Sequence, residues 1–232
     1  MTYTQQETIS KTSFYLTEII NMNHDQQNFD TWNKIAKIYE DKFMRLDLYN
    51  ETYDFVCNAI DKENAKILEV GCGPGNITKY LLNKRPDLHI HGIDLAPNMI
   101  ELAEKNNPSA SFAVMDAREI GTLATKFDAI IAGFCIPYFS PTECEQFIVD
   151  AKHLLNKKGL IYISFVEGTA SQSGLKTSKS GDSVYFNYHE LETLKSLLKE
   201  IGTTIINVFT VDFKRSANES EIHTVLIARI SR

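Results

Sequence analysis

A glycine-rich turn directly follows an apolar segment within residues 67–78, which read Ile-Leu-Glu-Val-Gly-Cys-Gly-Pro-Gly-Asn-Ile-Thr. The apolar run is typical of a buried strand, and the residues after the turn have a helical pattern. Glycines let the backbone turn tightly and leave its N–H groups unobstructed, which is how many strand-to-helix turns bind nucleotide-like ligands. The segment therefore predicts a cofactor-binding turn in an α/β fold.

The spacing of the glycines distinguishes between cofactors. A dinucleotide fingerprint has its third glycine three residues after the second, and Asn76 stands at that position. The chain instead has Glu69 two residues before Gly71, followed by Gly73 and Gly75. This arrangement resembles motif I of the class I S-adenosylmethionine (SAM)-dependent methyltransferases. A glycine-rich turn that binds no ligand is the alternative interpretation.

Strand and helix patterns alternate through the middle of the chain. We predict strands over 66–71, 88–93, 110–115, 127–133 and 159–166, with helices over 75–84, 97–106, 118–124 and 141–155 between them. Strict alternation predicts parallel strands joined by right-handed helical crossovers. An amphipathic helix from Leu191 to Ile201 and a hairpin of strands near 203–213 and 221–230 complete the pattern.

The resemblance covers roughly residues 30–230 and implies a particular fold. It implies a Rossmann-like, doubly wound sheet of seven strands in the order 3-2-1-4-5-7-6 with an antiparallel last strand, and the predicted terminal hairpin agrees. Apolar residues at three- and four-residue steps over 30–60 predict amphipathic helices. We therefore expect a helical N-terminal cap segment over 1–61 and a methyltransferase core over 62–232.

Two further carboxylates follow predicted strands. Asp94 ends the second strand, where a carboxylate can accept hydrogen bonds from both ribose hydroxyls or cap the next helix. Asp116 ends the third strand and suits the amino group of adenine, although strand-end Asp residues also form ordinary turns. Leu95 and Met99 can pack on a purine, but such residues are also common in plain cores.

The fourth predicted strand runs into residues 135–139, Cys-Ile-Pro-Tyr-Phe, and strand end and loop together (the motif IV segment) resemble motif IV of the same enzymes. In that family the strand end lies under the methionine part of SAM and the following loop faces the acceptor. Gly133 permits close backbone approach, and Phe134 and Tyr138 are expected to wall the reaction site. Cys135 stands where methyltransferases acting on amino groups of DNA often have Asn or Asp, which argues against a nucleic-acid base as acceptor.

SAM is the predicted cofactor. The predicted cofactor-binding residues are Tyr39, Glu69, Gly71, Cys72, Gly73, Gly75, Asp94, Leu95, Met99, Asp116, Ala117 and Phe134.

The sequence does not identify a catalytic residue. Methyl transfer from a sulfonium is an in-line displacement in which the enzyme mainly aligns the acceptor and excludes water. A hydroxyl or acidic-carbon acceptor also needs a general base, for which Tyr138 and His189 are the candidates. Both also fit ordinary roles, Tyr138 in packing and His189 in the first turn of a helix. Segment 167–183, rich in Gly, Ser, Thr and Lys, is predicted as a loop that is either a lid or an idle connection.

Composition and charge narrow the classes of partner. The net charge of −6 and the absence of a Lys/Arg run argue against nucleic acid held through its phosphates. The apolar patch over 14–20 is too short for a membrane span and too acidic in context for a signal peptide, so we expect a cytoplasmic protein without a membrane partner. Four scattered cysteines indicate neither a disulfide framework nor a metal site.

The resemblance and the residues together indicate a SAM-dependent methyltransferase acting on a small-molecule acceptor. A non-enzymatic SAM-binding sensor and an aminopropyltransferase on the same fold are the alternatives. A basic peptide substrate is also compatible with the acidic surface. The acceptor, the atom that is methylated and the oligomeric state are not determined by the sequence.

Overall fold

The computed structural model describes residues 3–214 and 219–231, with side chains described from residue 22 onward. The helices and strands of the described chain are α1 (Tyr3–Phe43), α2 (Asn50–Ala59), β1 (Lys66–Val70), α3 (Asn76–Lys84), β2 (His89–Asp94), α4 (Pro97–Asn106), β3 (Ser111–Val114), β4 (Phe127–Gly133), α5 (Pro141–Leu154), β5 (Leu155–Val166), β6 (Gly174–Thr177), β7 (Ser183–Phe186), α6 (Leu191–Glu200), β8 (Thr203–Lys214) and β9 (Ser220–Ile230). Short 3₁₀ turns span Ala117–Thr122, Ile136–Tyr138 and Ala170–Gln172.

Seven strands form one sheet in the order β3-β2-β1-β4-β5-β9-β8. Strands β1 to β5 are parallel, whereas β9 is antiparallel to both β5 and β8. Since β8 and β9 are the sixth and seventh strands of this sheet, the expected order 3-2-1-4-5-7-6 and the antiparallel last strand are confirmed. Because β9 runs against its neighbours, its first residues lie at the same edge as the carboxyl ends of the parallel strands.

Helices cover both faces of the sheet, which explains why its central strands are almost continuously apolar. One face packs against α5 and α6 through buried residues such as Phe147 and Leu198. The other face packs against α2 and α3 through residues such as Val56 and Leu81. The doubly wound architecture predicted from the alternation of elements is therefore present.

Helix α5 shows how local sequence sets the start of an element. The Ser140 hydroxyl accepts a hydrogen bond from the Glu143 N–H, and the Glu143 carboxylate accepts one from the Ser140 N–H. Pro141 occupies the first turn, where its missing N–H costs no hydrogen bond. These contacts place the helix directly after the motif IV segment.

Segment 167–183 is more ordered than the sequence indicates. It contains β6 and leads into β7, and the two strands pair only with each other as a separate antiparallel hairpin. The prediction of a plain loop is wrong in this respect. The hairpin packs on α1 rather than on the main sheet. Its strands therefore lack the alternation of apolar and polar residues by which a strand with one face in the core is recognised in a sequence.

Helices α1 and α2 occupy the region expected to form the N-terminal cap. Helix α1 contacts α4 and β7 at the edge where the parallel strands end. The division into a cap over 1–61 and a core over 62–232 stays a prediction. None of the described helices has the length and apolar character needed to cross a membrane.

Candidate functional site

The turn between β1 and α3 has three glycines in the left-handed region of backbone space. The φ angles are +66° at Gly71, +53° at Gly73 and +80° at Gly75, values that side chains disfavour. At Gly75 a Cβ atom would also lie 2.3 Å from the Asn107 side-chain nitrogen. The glycine spacing recognised in the sequence is thus required by the shape of the turn.

Asp94 fastens this turn to the end of β2. Its carboxylate accepts one hydrogen bond from the Gly73 N–H and another from the Ala96 N–H, both at 2.9 Å. Burial raises the pKa of Asp94, and the two backbone donors oppose that rise. A carboxylate has about four acceptor positions, so Asp94 keeps capacity for a ligand after making these bonds. Its structural role beside α4 is therefore compatible with the predicted ribose contact.

Glu69 lies fully buried beneath the turn. The Thr78 hydroxyl donates a hydrogen bond to Oε2, while Oε1 has no hydrogen-bond partner among the described residues. Burial raises the pKa of Glu69 to about 8, although the bonds from Thr78 oppose that rise. Buried polar atoms almost always have a partner, so this oxygen fits a ligand that brings a donor.

Asp116 lies within an ionic cluster centred on Arg118. The guanidinium binds Asp116, with a shortest contact of 2.6 Å, as well as Glu143 of α5 at 3.0 Å and Asp25 of α1. Burial acts to raise the pKa of Asp116, but the bonds from Arg118 hold it below its usual value. Any adenine contact at Asp116 would therefore share the carboxylate with Arg118.

A cavity of about 310 Å³ extends along the carboxyl edge of the sheet. Every predicted cofactor-binding residue lines the cavity except Gly75. The Gly75 carbonyl accepts a hydrogen bond from the side chain of Asn107, which directly follows α4. Tyr138 also lines the cavity. His189 lies outside the cavity wall, and its Nε2 donates to the Ile136 carbonyl at 2.9 Å. This bond holds the motif IV segment from behind.

Two aromatic residues of α1 cover one half of the cavity. Trp32 and Tyr39 pack with Ala96 and Met99, beside the predicted adenosine contacts. Burial raises the pKa of Tyr39 to about 12, so its hydroxyl is neutral at physiological pH. The Trp32 Nε1–H is buried without a hydrogen-bond partner among the described residues. Trp32 and Tyr39 therefore give this half of the cavity a neutral, largely apolar cover with one available donor.

The other half of the cavity has an aromatic wall, of which the sequence analysis identified only Phe134 and Tyr138. Its main members are Tyr49, Phe134, Tyr138, Phe186, Phe213 and His223. The His223 ring stacks on Phe213 at 4.6 Å between centroids and lies 4.8 Å from the Phe134 ring. The prediction of an antiparallel last strand could have located His223, because an antiparallel β9 begins at the ligand edge, and His223 lies near its beginning.

His223 is also hydrogen-bonded at both ring nitrogens. Its Nδ1 lies 2.6 Å from the Tyr49 hydroxyl oxygen, and its Nε2 lies 3.1 Å from Glu221 Oε1. Burial raises the pKa of Tyr49 well above its usual value. Among the residues that the structure describes, no group of three His, Cys, Asp or Glu side chains is arranged to hold a metal ion.

Comparison with known proteins agrees with this geometry. Residues 67–159 match the family model described as "Methyltransferase domain". Malonyl-[acyl-carrier protein] O-methyltransferase of Acetivibrio thermocellus is 32% identical over 123 residues, which are 52% of this chain and 40% of that protein. Carboxy-S-adenosyl-L-methionine synthase of Campylobacter lari is 25% identical over 185 residues, which are 77% of this chain and 76% of that protein.

A solved structure extends the match over most of the chain. Magnesium protoporphyrin IX methyltransferase from Synechocystis PCC 6803 with bound SAM superposes with a TM-score of 0.64 at 17% identity, covering 90% of this chain and 96% of that one. At this identity the likeness concerns the fold. The chain spans less than half the length of the Acetivibrio relative. By its motif, its sheet order and these matches, the chain resembles the class I SAM-dependent methyltransferases, whose cofactor is SAM, and the match to the methyltransferase family model spans residues 67–159.

Proposed function

We propose that this protein transfers the methyl group of SAM to a small-molecule acceptor. The observation that carries the proposal is the continuity of the cavity, which joins the glycine turn to an aromatic-walled space. A protein that only senses SAM needs the first half but not the second. Concave, largely apolar sites with a few polar groups are typical of small-molecule binding.

The residues of the first half fit the chemical groups of SAM. Glu69 Oε1 lacks a donor, and the ammonium of the methionine part supplies one. Asp94 has remaining acceptor capacity for the ribose hydroxyls, and Asp116 is the proposed partner of the adenine amino group. Leu95 and Met99 offer apolar surface to the purine. When bound, SAM supplies an electrophilic methyl group on a sulfonium centre.

The chain itself supplies alignment and exclusion of water. Gly133 has no side chain, and a Cβ there would lie 2.4 Å from Ile77 Cδ1, so the end of β4 stays close to the packed floor of the cavity. The Phe134 N–H is fixed by the Ser164 hydroxyl at 2.8 Å. An acceptor resting on the aromatic wall is thereby held against a rigid strand end, which favours one direction of attack.

The test is a SAM-consumption screen of the purified protein against a fractionated metabolite extract. Mass spectrometry should find a product heavier than its precursor by one CH₂ unit, together with S-adenosylhomocysteine. The Asp94→Ala variant is the control, because at limiting SAM it should lose turnover with every acceptor alike. Putrescine with decarboxylated SAM is a separate arm for aminopropyl transfer.

Each arm of the screen has a contrary outcome. Cofactor binding without any product across the extract would support a SAM sensor and contradict the proposal. Aminopropylated putrescine would assign the chain to the aminopropyltransferases. A cofactor that itself becomes heavier by a carboxyl group would indicate the reaction named for the Campylobacter relative instead.

A further inference from the structure

The acceptor half of the cavity contains a chain of hydrogen bonds whose direction the chemistry determines. Glu221 as a carboxylate can only accept, so His223 Nε2, at 3.1 Å, must carry a proton and donate it. In this tautomer of the neutral ring Nδ1 is unprotonated, and the Tyr49 O–H, at 2.6 Å between heavy atoms, can donate to it. Because the proton of the Tyr49 hydroxyl is used in this bond, its oxygen can only accept a hydrogen bond from a group in the cavity.

The three residues come from parts of the fold that converge only at the ligand edge. Tyr49 immediately precedes α2, and its own carbonyl accepts hydrogen bonds from Thr52, which fixes the start of that helix. Glu221 and His223 lie two residues apart near the start of β9, so their side chains share one face of the strand. All three line the cavity.

The relay lies beside the predicted reaction site. The Tyr49 ring is 5.3 Å from the ring of Phe134, which directly follows β4 in the motif IV segment. His223 is only 6% exposed, with Phe213 stacked on its ring and Phe134 packed against it at a tilt, so bulk water has little access to its nitrogens. A proton arriving at Tyr49 from the cavity therefore has a defined route inward.

We propose that Tyr49, His223 and Glu221 form a proton relay, and that the acceptor attacks through an atom bearing a dissociable proton, a hydroxyl oxygen or an acidic carbon. This inference rests on the proposed methyl transfer. The acceptor atom forms a bond to the methyl carbon, and the C–S bond breaks with its electron pair passing to sulfur. The acceptor's proton goes to Tyr49 Oη as the proton of Tyr49 goes to His223 Nδ1. The imidazolium so formed is stabilised by the Glu221 carboxylate until its proton passes to solvent.

A purely structural role is the competing explanation, because the same bonds tie α2 to β9. The variant His223→Asn separates the two explanations. Its side-chain oxygen can occupy a place near that of Nδ1 and accept the Tyr49 O–H, but it cannot take up a proton. A structural tie would survive this substitution, whereas the relay would not.

The experiment uses the acceptor found by the extract screen and compares wild type with Tyr49→Phe, His223→Asn and the control Tyr80→Phe. Tyr80 also donates its hydroxyl to another side chain, the carboxylate of Asp54 at 2.8 Å, but it lies outside the cavity wall. We expect kcat to fall about 10²–10⁴-fold in the first two variants, with thermal stability and S-adenosylhomocysteine affinity close to wild type. Tyr80→Phe should leave kcat within about twofold of wild type.

A second readout does not depend on turnover. Imidazole ¹⁵N spectra of the S-adenosylhomocysteine complex should show His223 with its proton on Nε2 and none on Nδ1, and Glu221→Gln should alter this pattern. Methylation confined to acceptors without a dissociable proton, full kcat in Tyr49→Phe, or a proton on Nδ1 would each overturn the relay alone. If the wild type binds cofactor and methylates nothing, the proposed function fails and the relay with it.

Discussion

Glu69 and Asp94 are carboxylates on neighbouring strands, and their surroundings give them different properties. Both oxygens of Asp94 accept backbone N–H bonds, so the side chain already shapes the turn. Glu69 has one oxygen without a partner among the described residues, and burial raises its pKa to about 8. Asp94 is thus largely satisfied in the protein itself, while Glu69 depends on a ligand for its last hydrogen bond.

Glu69 should therefore make the unliganded protein less stable as the pH rises. The pKa of Glu69 is about 8 in the folded protein and 4.5 in the unfolded chain. The stability that the protonated Glu69 contributes is therefore fully present below about pH 4.5 and is lost as the pH rises through 8. In Glu69→Gln the free energy of unfolding should decline less between pH 5 and 8, by at most about 1.4 kcal/mol per pH unit. Urea denaturation across this range measures it, with exposed Glu145→Gln as the control. Parallel profiles for wild type and Glu69→Gln would contradict the assignment.

Asp94→Ala should weaken SAM binding by about 1–3 kcal/mol through loss of charge-assisted hydrogen bonds. Part of this loss is indirect, because the Gly73 N–H also loses its acceptor. Isothermal titration calorimetry with SAM measures the change, and Asp54→Ala, outside the cavity, should leave the affinity unaltered. Wild-type affinity in Asp94→Ala would remove the ribose assignment.

Among the elements, α1 and the β6–β7 hairpin behave as one covering unit. Asn28 of α1 donates to the Tyr185 carbonyl at 3.1 Å and accepts from the Tyr185 N–H at 2.7 Å, which mimics the pairing of a third strand. His24 stacks on the Tyr185 ring at 3.8 Å between centroids. Phe186, the next residue, reaches the cavity wall. The position of the hairpin over the acceptor half is thus set by α1.

Asn28→Ala should release this hairpin. Both bonds to Tyr185 are lost, so amides of β6 and β7 should exchange with deuterium about tenfold or more faster, consistent with a loss of at least about 1.4 kcal/mol of local stability. Hydrogen–deuterium exchange with mass spectrometry measures this, and Gln26→Ala, which loses only a bond to Asp30 within α1, is the control. Unchanged exchange in Asn28→Ala would show that other contacts hold the hairpin.

The elements also show where sequence patterns suffice and where they fail. Alternation located β1 to β5, because buried parallel strands are apolar runs bounded by turn residues. It missed β6 and β7, whose polar residues face solvent and α1 instead of a core. The sequence analysis also missed His223, because it looked for site residues only after the ends of strands. Strand β9 is antiparallel, so its beginning, and not its end, lies at the ligand edge.

At the scale of the whole molecule, the predicted cofactor contacts and the proposed acceptor contacts come from different parts of the chain. The predicted cofactor residues lie on α1 and at the ends of β1, β2, β3 and β4, and local motifs in the sequence were enough to propose them. The relay residues belong to the start of α2 and to β9, whose proximity exists only in the folded protein. The spacing of residues in the sequence can indicate a local motif, but it cannot indicate which distant residues meet in the folded protein.

Ligand binding should stabilise the whole protein by mass action. S-adenosylhomocysteine at 100 times its dissociation constant contributes about 2.7 kcal/mol, which for a chain of this size raises Tm by about 5–10 °C. Differential scanning fluorimetry measures the shift. ATP at the same concentration is the control, because it has adenosine but no amino-acid part for Glu69. An equal shift with ATP would contradict the proposed contacts of the methionine part.

The hydrogen bonds of the glycine turn differ from those of the relay in how far apart along the chain their partners lie. Gly73 is joined to Asp94 and Gly75 to Asn107, separations of 21 and 32 residues, whereas Tyr49 and His223 are 174 residues apart. On the ribosome, the partners of the turn are all present long before β9 has been translated. The aromatic wall is thus completed last, when β8 and β9 add Phe213 and His223 to it, and under the proposed function exchanging this hairpin should change the acceptor while the predicted cofactor residues remain as they are.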